Sequence, residues 1–303
     1  MSVIEVTNLR KEYGDVVAVD DVSFTVEPGE IFGILGPNGA GKTTTVECVE
    51  GLRQRDGGTV RVLGLDPGRD GTALRQRLGV QLQQSELPEK LKVWEALDLY
   101  SSFYRQPADW RELLDLLGLS DRRDARYGTL SGGQKQRLSI ALALVGDPEI
   151  AVLDELTTGL DPAARRDTWA LIESVRNRGV TVVLVTHFME EAERLCDRVA
   201  VIDAGRVVAV DTPAGLTARV QGEQRIRFTV AGPLPSLSGL PEVTGVRRSG
   251  DQIEVTGTGN LLFAVAAALA THDIVPRDLR MEHATLDDAF LALTGTQLDG
   301  RSA

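Results

Sequence analysis

Several residue types that mark large classes of protein are scarce in this sequence of 303 residues. The two cysteines, Cys48 and Cys196, are far apart, which argues against a disulfide scaffold or a cysteine metal site and favours a reducing compartment. The longest apolar stretch, LLFAVAAALA at 261–270, is about half as long as a membrane-spanning helix. The N-terminal MSVIEVTNLRKEYG lacks the pattern of a secretion signal. We therefore expect a soluble, cytoplasmic protein.

Basic residues are also too few for an extended nucleic-acid surface. The chain has 33 Lys and Arg against 44 Asp and Glu, a formal net charge of −11. A free-standing nucleic-acid-binding protein usually carries a basic footprint, so no nucleic-acid partner is expected. The hydrophobic share of 42% and charged share of 25% are those of a globular protein large enough for an α/β core and a smaller domain.

Short apolar segments alternate with helical patterns over the first two thirds of the chain. IFGILG (31–36), EIAVLD (149–154) and VTVVLVTH (180–187) are typical of strands buried on both faces. The alternation predicts a mostly parallel sheet flanked by helices. Alternating strand patterns at 3–9 and 16–26 precede this core.

The pattern changes near residue 212. RIRFTV (225–230) and DQIEVTG (251–257) are strand-like, whereas 260–273 and 285–295 are helix-like. These segments predict a separate, small α+β domain. We place the boundary so that the domains are 1–218 and 219–303.

GPNGAGKTT (36–44) fits the phosphate-binding P-loop pattern G-x-x-x-x-G-K-[ST] and stands between a buried strand and a helix. Glycines let successive amides surround phosphate oxygens, and the helix N-terminus adds partial positive charge. We expect Lys42 to pair with the β- and γ-phosphates and Thr43 to ligate Mg²⁺. The alternative, a glycine-rich turn that matches by chance, is disfavoured by the strand-loop-helix context. The candidate nucleotide-binding residues are Gly36, Pro37, Asn38, Gly39, Ala40, Gly41, Lys42, Thr43 and Thr44.

IAVLDE (150–155) supplies two acids at the end of an apolar strand. Asp154 can hold Mg²⁺ through water, and Glu155 is a candidate base for the attacking water. Alone, such a pair is more often a solvated turn or a helix N-terminal charge pair. Together with the P-loop, it predicts a nucleotide-hydrolysis site.

GTLSGGQKQRLSIALAL (128–144) predicts a helix that opens with Gly132 and Gly133. Glycine lowers helix stability by about 1 kcal/mol per position relative to alanine. The presence of glycine at both positions therefore requires an explanation. Ser131 and Gln134 have the S-x-x-Q spacing of a capping box. That box alone does not explain the two glycines, which are also expected where a ligand approaches the backbone closely.

LSGGQKQR (130–137) closely resembles the signature motif of ATP-binding-cassette (ABC) ATPases. The family's other marks follow in order over roughly residues 3–210. Tyr13 matches the aromatic residue that stacks on adenine, and GVQLQQS (79–85) matches the glutamine loop. TGLDP (158–162), which contains Asp161, matches the D-loop, and His187 matches the switch histidine.

This resemblance implies an α/β P-loop ABC core, with an N-terminal antiparallel β subdomain and a helical signature subdomain. It implies a homodimer in which two copies stack head to tail, each ATP·Mg²⁺ lying between the P-loop of one and the signature of the other. The partner's γ-phosphate would meet Ser131, Gly132, Gly133 and Gln134. It further implies γ-phosphate contact by His187 and a contact from Gln83 to Mg²⁺.

Some assignments have alternatives. Gln81 and Gln84 compete with Gln83 for the metal, His187 could be a satisfied core histidine, and Tyr13 could be an ordinary loop tyrosine. Where the family usually has proline after the acidic pair, this chain has Leu156, which should loosen the turn slightly without removing a catalytic group.

The C-terminal TLDDAFLALTG (285–295) is similar to a tail common in bacterial drug-exporter ATPases, including daunorubicin and multidrug export subunits. The leading hypothesis is an ATPase subunit that drives a separate multi-span membrane permease from the inner face of the membrane, exporting drugs or other hydrophobic compounds. The alternatives are a soluble ABC ATPase acting on nucleic acid or translation, and a nucleotide-gated regulatory protein. The C-terminal domain could equally be structural or regulatory.

Overall fold

A computed structural model describes residues 1–81, 87–220, 224–230, 234–282 and 285–295. The chain divides into two compact units, Met1–Pro213 and Ala214–Gln297. The domain boundary that the sequence places between residues 218 and 219 stays a prediction.

The first unit contains a nine-stranded sheet with the order β4-β1-β2-β9-β8-β3-β7-β6-β5. Five strands lie side by side in the order β8, β3, β7, β6 and β5, and each neighbouring pair among them is parallel. This arrangement confirms the predicted parallel core. The strands are β1 (Ile4–Tyr13), β2 (Val16–Val26), β3 (Ile31–Leu35), β4 (Gly57–Val62), β5 (Leu78–Gln81), β6 (Ile150–Asp154), β7 (Thr181–Val185), β8 (Arg198–Asp203) and β9 (Arg206–Asp211).

The central strands are covered on both faces. Every residue of β3 and β7 is buried, as are the first four of β6. Such strands read as continuous apolar runs rather than as alternation. Their ends meet at one edge of the sheet, which places the P-loop after β3 beside the acids after β6 and the histidine after β7.

The antiparallel strands β4, β1 and β2 continue the same sheet rather than forming a detached one. The link is a parallel pairing of Asp21 in β2 with Arg206 in β9. The segment β8–β9 is an antiparallel hairpin.

Three helices form the subdomain that carries the signature motif: α3, α4 and α5 pack on one another. Chain direction changes between α3 and α4, where the sequence has Pro107. The first unit's helices, with the linking helix α8, are α1 (Lys42–Glu50), α2 (Gly71–Arg75), α3 (Val93–Ser101), α4 (Trp110–Leu116), α5 (Gly132–Leu144), α6 (Pro162–Asn177), α7 (Met189–Leu195) and α8 (Pro213–Val220).

The second unit has a four-stranded antiparallel sheet with the order β11-β12-β10-β13. Helix α9 packs on one face of this sheet, where Ile226, Phe228 and Val265 are buried together. The elements are β10 (Gln224–Thr229), β11 (Val243–Ser249), β12 (Gln252–Gly257), α9 (Leu261–Thr271), β13 (Arg277–Glu282) and α10 (Leu286–Thr294).

No helix within the described ranges is both long and apolar enough to cross a membrane.

Candidate nucleotide-binding and hydrolysis site

The P-loop runs from the end of β3 into α1, and its glycines are required by the fold itself. Gly41 precedes α1 with φ 97°, a left-handed conformation that side chains rarely adopt. A Cβ there would lie 2.4 Å from the carbonyl oxygen of Ala18. One at Gly36 would lie 2.2 Å from the carbonyl oxygen of Ile202. Glycine at these two positions therefore allows the tight backbone turn of the loop.

Lys42 is buried at the first position of α1. Its Nζ donates to the carbonyl oxygens of Gly36 at 2.7 Å and Pro37 at 3.0 Å. Burial lowers the pKa of Lys42, while Glu155 and Asp154 act to raise it. The ammonium group thus points into the loop rather than into solvent, which is where a phosphate would meet it.

Asp154 and Glu155 stand at the end of β6, facing this loop. The chain turns sharply there, because Glu155 has φ 47° and its amide donates to the carbonyl oxygen of Val185 in β7 at 2.9 Å. A non-glycine residue in the left-handed region is uncommon and often marks a functional turn. The left-handed backbone at Glu155 therefore marks the end of β6 as a candidate functional turn.

His187 follows β7 and contacts this turn. Its Nδ1 lies 3.2 Å from Oε1 of Glu155, and both side chains are largely buried, 22% and 16% exposed. The two residues that the sequence assigns to water activation and to γ-phosphate contact are therefore one hydrogen-bonded pair. This contact argues against His187 as a core histidine with no link to the acids.

The site carries an excess of buried acid. Burial and the neighbouring Glu155 raise the pKa of Asp154 to about 6, although Lys42 opposes the shift. Glu50 on α1 is 4% exposed, and burial together with Asp154 and Glu47 raises its pKa to about 8. Carboxylates crowded in this way are suited to a bound cation, which would neutralise them. The exposed Thr43 and the half-buried Asp154 fit the oxygen ligands that Mg²⁺ prefers.

The glutamine loop begins at Gln81, the last residue of β5. The Gln81 side chain is buried, and its Oε1 accepts the Asp154 backbone amide at 3.1 Å. This bond holds the end of β6 in place, a role the sequence did not indicate. Gln83 and Gln84, the other candidates for the metal contact, lie outside the described residues.

The signature motif begins α5 as a complete capping box. Ser131 Oγ accepts the Gln134 amide at 3.3 Å, and Gln134 Oε1 accepts the Ser131 amide at 3.0 Å. The glycines between them have no such internal role. Among the described residues, nothing lies within 4 Å of a Cβ placed on Gly132, and only Ala164 Cβ, at 3.6 Å, approaches one on Gly133.

The signature and the D-loop share one shallow depression of about 440 Å³. Its lining includes Gly132, Gly133, Gly159 and Asp161. Asp161 caps α6, because its Oδ1 accepts the amides of Ala163 at 2.9 Å and Ala164 at 3.0 Å. These backbone donors lower its pKa, so Asp161 is already occupied as a helix cap.

Tyr13 ends β1 with 41% of its surface exposed. Two cations flank its ring, Lys11 at 5.3 Å and Arg53 at 5.6 Å from the centroid. The exposed ring leaves adenine stacking available, and that role stays a prediction.

Leu156 is fully buried, at the position where a loosened turn was expected. The turn is nevertheless closed by backbone bonds from Thr158 to Glu155, 3.2 Å, and from Leu160 to Thr157, 3.2 Å. Packing of the leucine side chain thus supplies local order that proline would supply by restricting φ.

Comparison with known proteins agrees with this geometry. The family model described as ABC transporter matches residues 19–158. Over 97% of its length the chain is 39% identical to Nod factor export ATP-binding protein I of Paraburkholderia xenovorans, covering 98% of that protein. The chain belongs to the ATP-binding proteins of ABC transporters.

Further relatives agree with this membership. The daunorubicin resistance ATP-binding protein of Streptomyces coeruleorubidus is 37% identical over 96% of each chain. A solved ATP-binding subunit of an ABC transporter superposes with TM-score 0.66 at 28% identity, over 72% of this chain and 93% of that one. A dimeric bacterial ABC transporter cassette gives TM-score 0.61 at 28% identity, over 69% and 98%.

This ABC protein is an ATPase, and relatives of it are named for Nod factor export and for daunorubicin resistance. The expected family, fold and enzyme class are confirmed. The findings favour the exporter ATPase over a soluble ABC ATPase acting on nucleic acid or translation, and over a regulatory protein.

Proposed function

We propose that two copies of this chain close head to tail on two molecules of ATP with Mg²⁺, and that closure drives a separate membrane permease. The observation that carries the proposal is the open backbone at Gly132 and Gly133, which no packing within the described chain explains. A phosphate held by the partner's P-loop would approach those amides, and the N-terminus of the 13-residue helix α5 would add favourable charge.

In this proposal, the P-loop binds the phosphates of ATP. Lys42 exchanges its bonds to the Gly36 and Pro37 carbonyl oxygens for the β- and γ-phosphates of ATP. Thr43 and Asp154 would hold Mg²⁺, with Gln83 as the third contact. Bound Mg²⁺ supplies positive charge beside the phosphate oxygens.

In this proposal, Glu155 and His187 are the residues that act in hydrolysis. The Glu155 carboxylate takes a proton from the attacking water, because it begins the turn after β6, on the P-loop side of the sheet. His187 Nδ1, 3.2 Å from that carboxylate, orients it. Since the pair is largely buried, the interaction is less screened by solvent than a surface ion pair.

In this proposal, a separate partner protein carries out transport. Relatives of this chain are named for Nod factor export and daunorubicin resistance. We propose that the chain sits at the inner face of the membrane through its permease and energises efflux of drugs or other hydrophobic compounds. ATP contacts both copies only in the closed state, so ATP binding favours closure. In this proposal, that closure drives the permease. Co-purification with a multi-span membrane protein would test the partnership.

The Glu155→Gln variant tests the core of the proposal. Glutamine keeps the size of the side chain but cannot accept the proton from water, so ATP binds, hydrolysis stops and the closed dimer accumulates. Sedimentation with and without ATP measures the dimer, and phosphate release measures turnover. The exposed Glu190→Gln variant is the matched control. Wild-type turnover by Glu155→Gln would refute the assignment.

A further inference from the structure

Glu191 is a carboxylate in the interior of the first unit. It lies on α7 and has 0% exposure. Burial of a carboxylate is unfavourable unless hydrogen bonds and charges compensate it, and burial accordingly raises the pKa of Glu191. Its neighbours therefore indicate what the side chain is for.

The neighbours come from three separate segments. Trp169 on α6 donates its indole Nε1 to Glu191 Oε1 at 3.1 Å. The hydroxyl groups of Thr157 and Thr186 lie near the same carboxylate and act against the rise of its pKa, as does the positive charge of Arg165. One side chain thus connects α6 and α7 with two turns at the edge of the sheet.

Both of those turns carry hydrolysis residues. Thr157 is two residues after Glu155, and Thr186 immediately precedes His187. The Thr186 hydroxyl also accepts the Phe188 amide at 3.0 Å, which fixes the backbone on the other side of His187. Displacing either threonine would alter the 3.2 Å contact between Glu155 and His187.

Two buried polar atoms of this cluster could still form a hydrogen bond. Thr157 Oγ1 and Glu191 Oε2 are buried, and within the described part of the chain neither makes a hydrogen bond of standard geometry. Leaving a buried polar group without its hydrogen bond is unfavourable. A small movement of the Thr157 turn toward α7 would complete the bond and recover that free energy.

We propose that Glu191 is a positioning residue for ATP hydrolysis, acting through Thr157 and Thr186 to hold the turns of Glu155 and His187 in register. The proposal rests on the proposed roles of Glu155 and His187. Glu191 itself is closed off from solvent and touches no reactant. What matters is its two acceptor oxygens, not its volume.

The test compares two variants of similar size in the full chain. Glu191→Met removes both acceptors, whereas Glu191→Gln keeps one for the Trp169 N–H. We expect Glu191→Met to lower kcat by up to about 100-fold with an unchanged KM for ATP, and Glu191→Gln to restore most of the turnover. The exposed Glu190→Met variant on the same helix should behave as wild type.

A packing role predicts a different outcome, since methionine fills the space as well as glutamine. Wild-type kcat in Glu191→Met, or equal loss in both variants, would overturn the proposal. If Glu191→Met fails to fold, Thr157→Val decides: reduced kcat at unchanged Tm supports the role, and wild-type kcat overturns it. Glu155→Gln is assayed alongside. If that variant still hydrolyses ATP, the proposed function fails, whereas an inactive Glu155→Gln with a fully active Glu191→Met refutes only this inference.

Discussion

Replacement of Gly133 by aspartate should separate the stability of the single chain from its ability to dimerise. Gly133 is the second residue of α5, its φ is not positive, and a Cβ would make only an ordinary 3.6 Å contact with Ala164. An acid in the first turn of a helix adds about 0.3–1 kcal/mol through the helix dipole. We therefore expect Gly133→Asp to unfold at the wild-type temperature or a few degrees above it.

The closed dimer should respond in the opposite direction. A carboxylate about 4 Å from the partner's γ-phosphate is repelled by roughly 4 kcal/mol at an effective dielectric constant of about 20. That energy corresponds to about a thousandfold weaker association. Gly133→Asn, which has the same size without the charge, should weaken association less.

The assay combines two measurements on the same samples. Thermal unfolding without nucleotide reports the single chain, and sedimentation with ATP in the Glu155→Gln background reports the dimer. A destabilised Gly133→Asp chain would show that the glycine serves internal packing. A stable chain that dimerises with wild-type affinity would show that no phosphate approaches this backbone.

Two further predictions concern the phosphate loop and helix α1. Lys42→Ala should lose most of its ATP affinity in calorimetry, because no other cation is bonded inside the loop among the described residues; unchanged affinity would refute the P-loop role. Burial holds the pKa of Glu50 at about 8, above the ordinary 4.5, so the native chain keeps a proton that the unfolded chain releases, and stability falls as pH rises from about 4.5 to 8. Glu50→Gln should remove that slope, about 1.4 kcal/mol per pH unit, in urea unfolding at pH 6 and pH 8; parallel profiles would contradict the assignment.

The P-loop, the acids after β6 and the signature helix could be predicted because their chemistry is local. Gly36 to Thr44 is one continuous segment that forms the loop and the start of α1, and Asp154 is the last residue of an apolar strand. Strands β11 (Val243–Ser249) and β13 (Arg277–Glu282) escaped prediction. Both are edge strands of the second sheet, where only one side pairs and charged residues are favoured, so the apolar pattern that marks a strand is weak.

Long-range polar contacts escaped prediction for another reason. The bond from the Asp154 amide to Gln81 spans 73 residues, and the one from Trp169 to Glu191 spans 22. A glutamine among three in a loop, or a glutamate in a run of acids on a helix, has no local pattern that separates it from solvated neighbours. Only the packing of strands and helices identifies which side chain is inside.

The two glycines of the signature present the reverse case. Local propensity disfavours them, the capping box of Ser131 and Gln134 forms without them, and the fold leaves the space around them open. A residue that neither its helix nor its own chain requires is one that a second molecule can require. At Gly132 and Gly133, the conflict between helix propensity and the residues that are present therefore indicates a function. In the proposed dimer, it marks the surface that a second copy with bound nucleotide would approach.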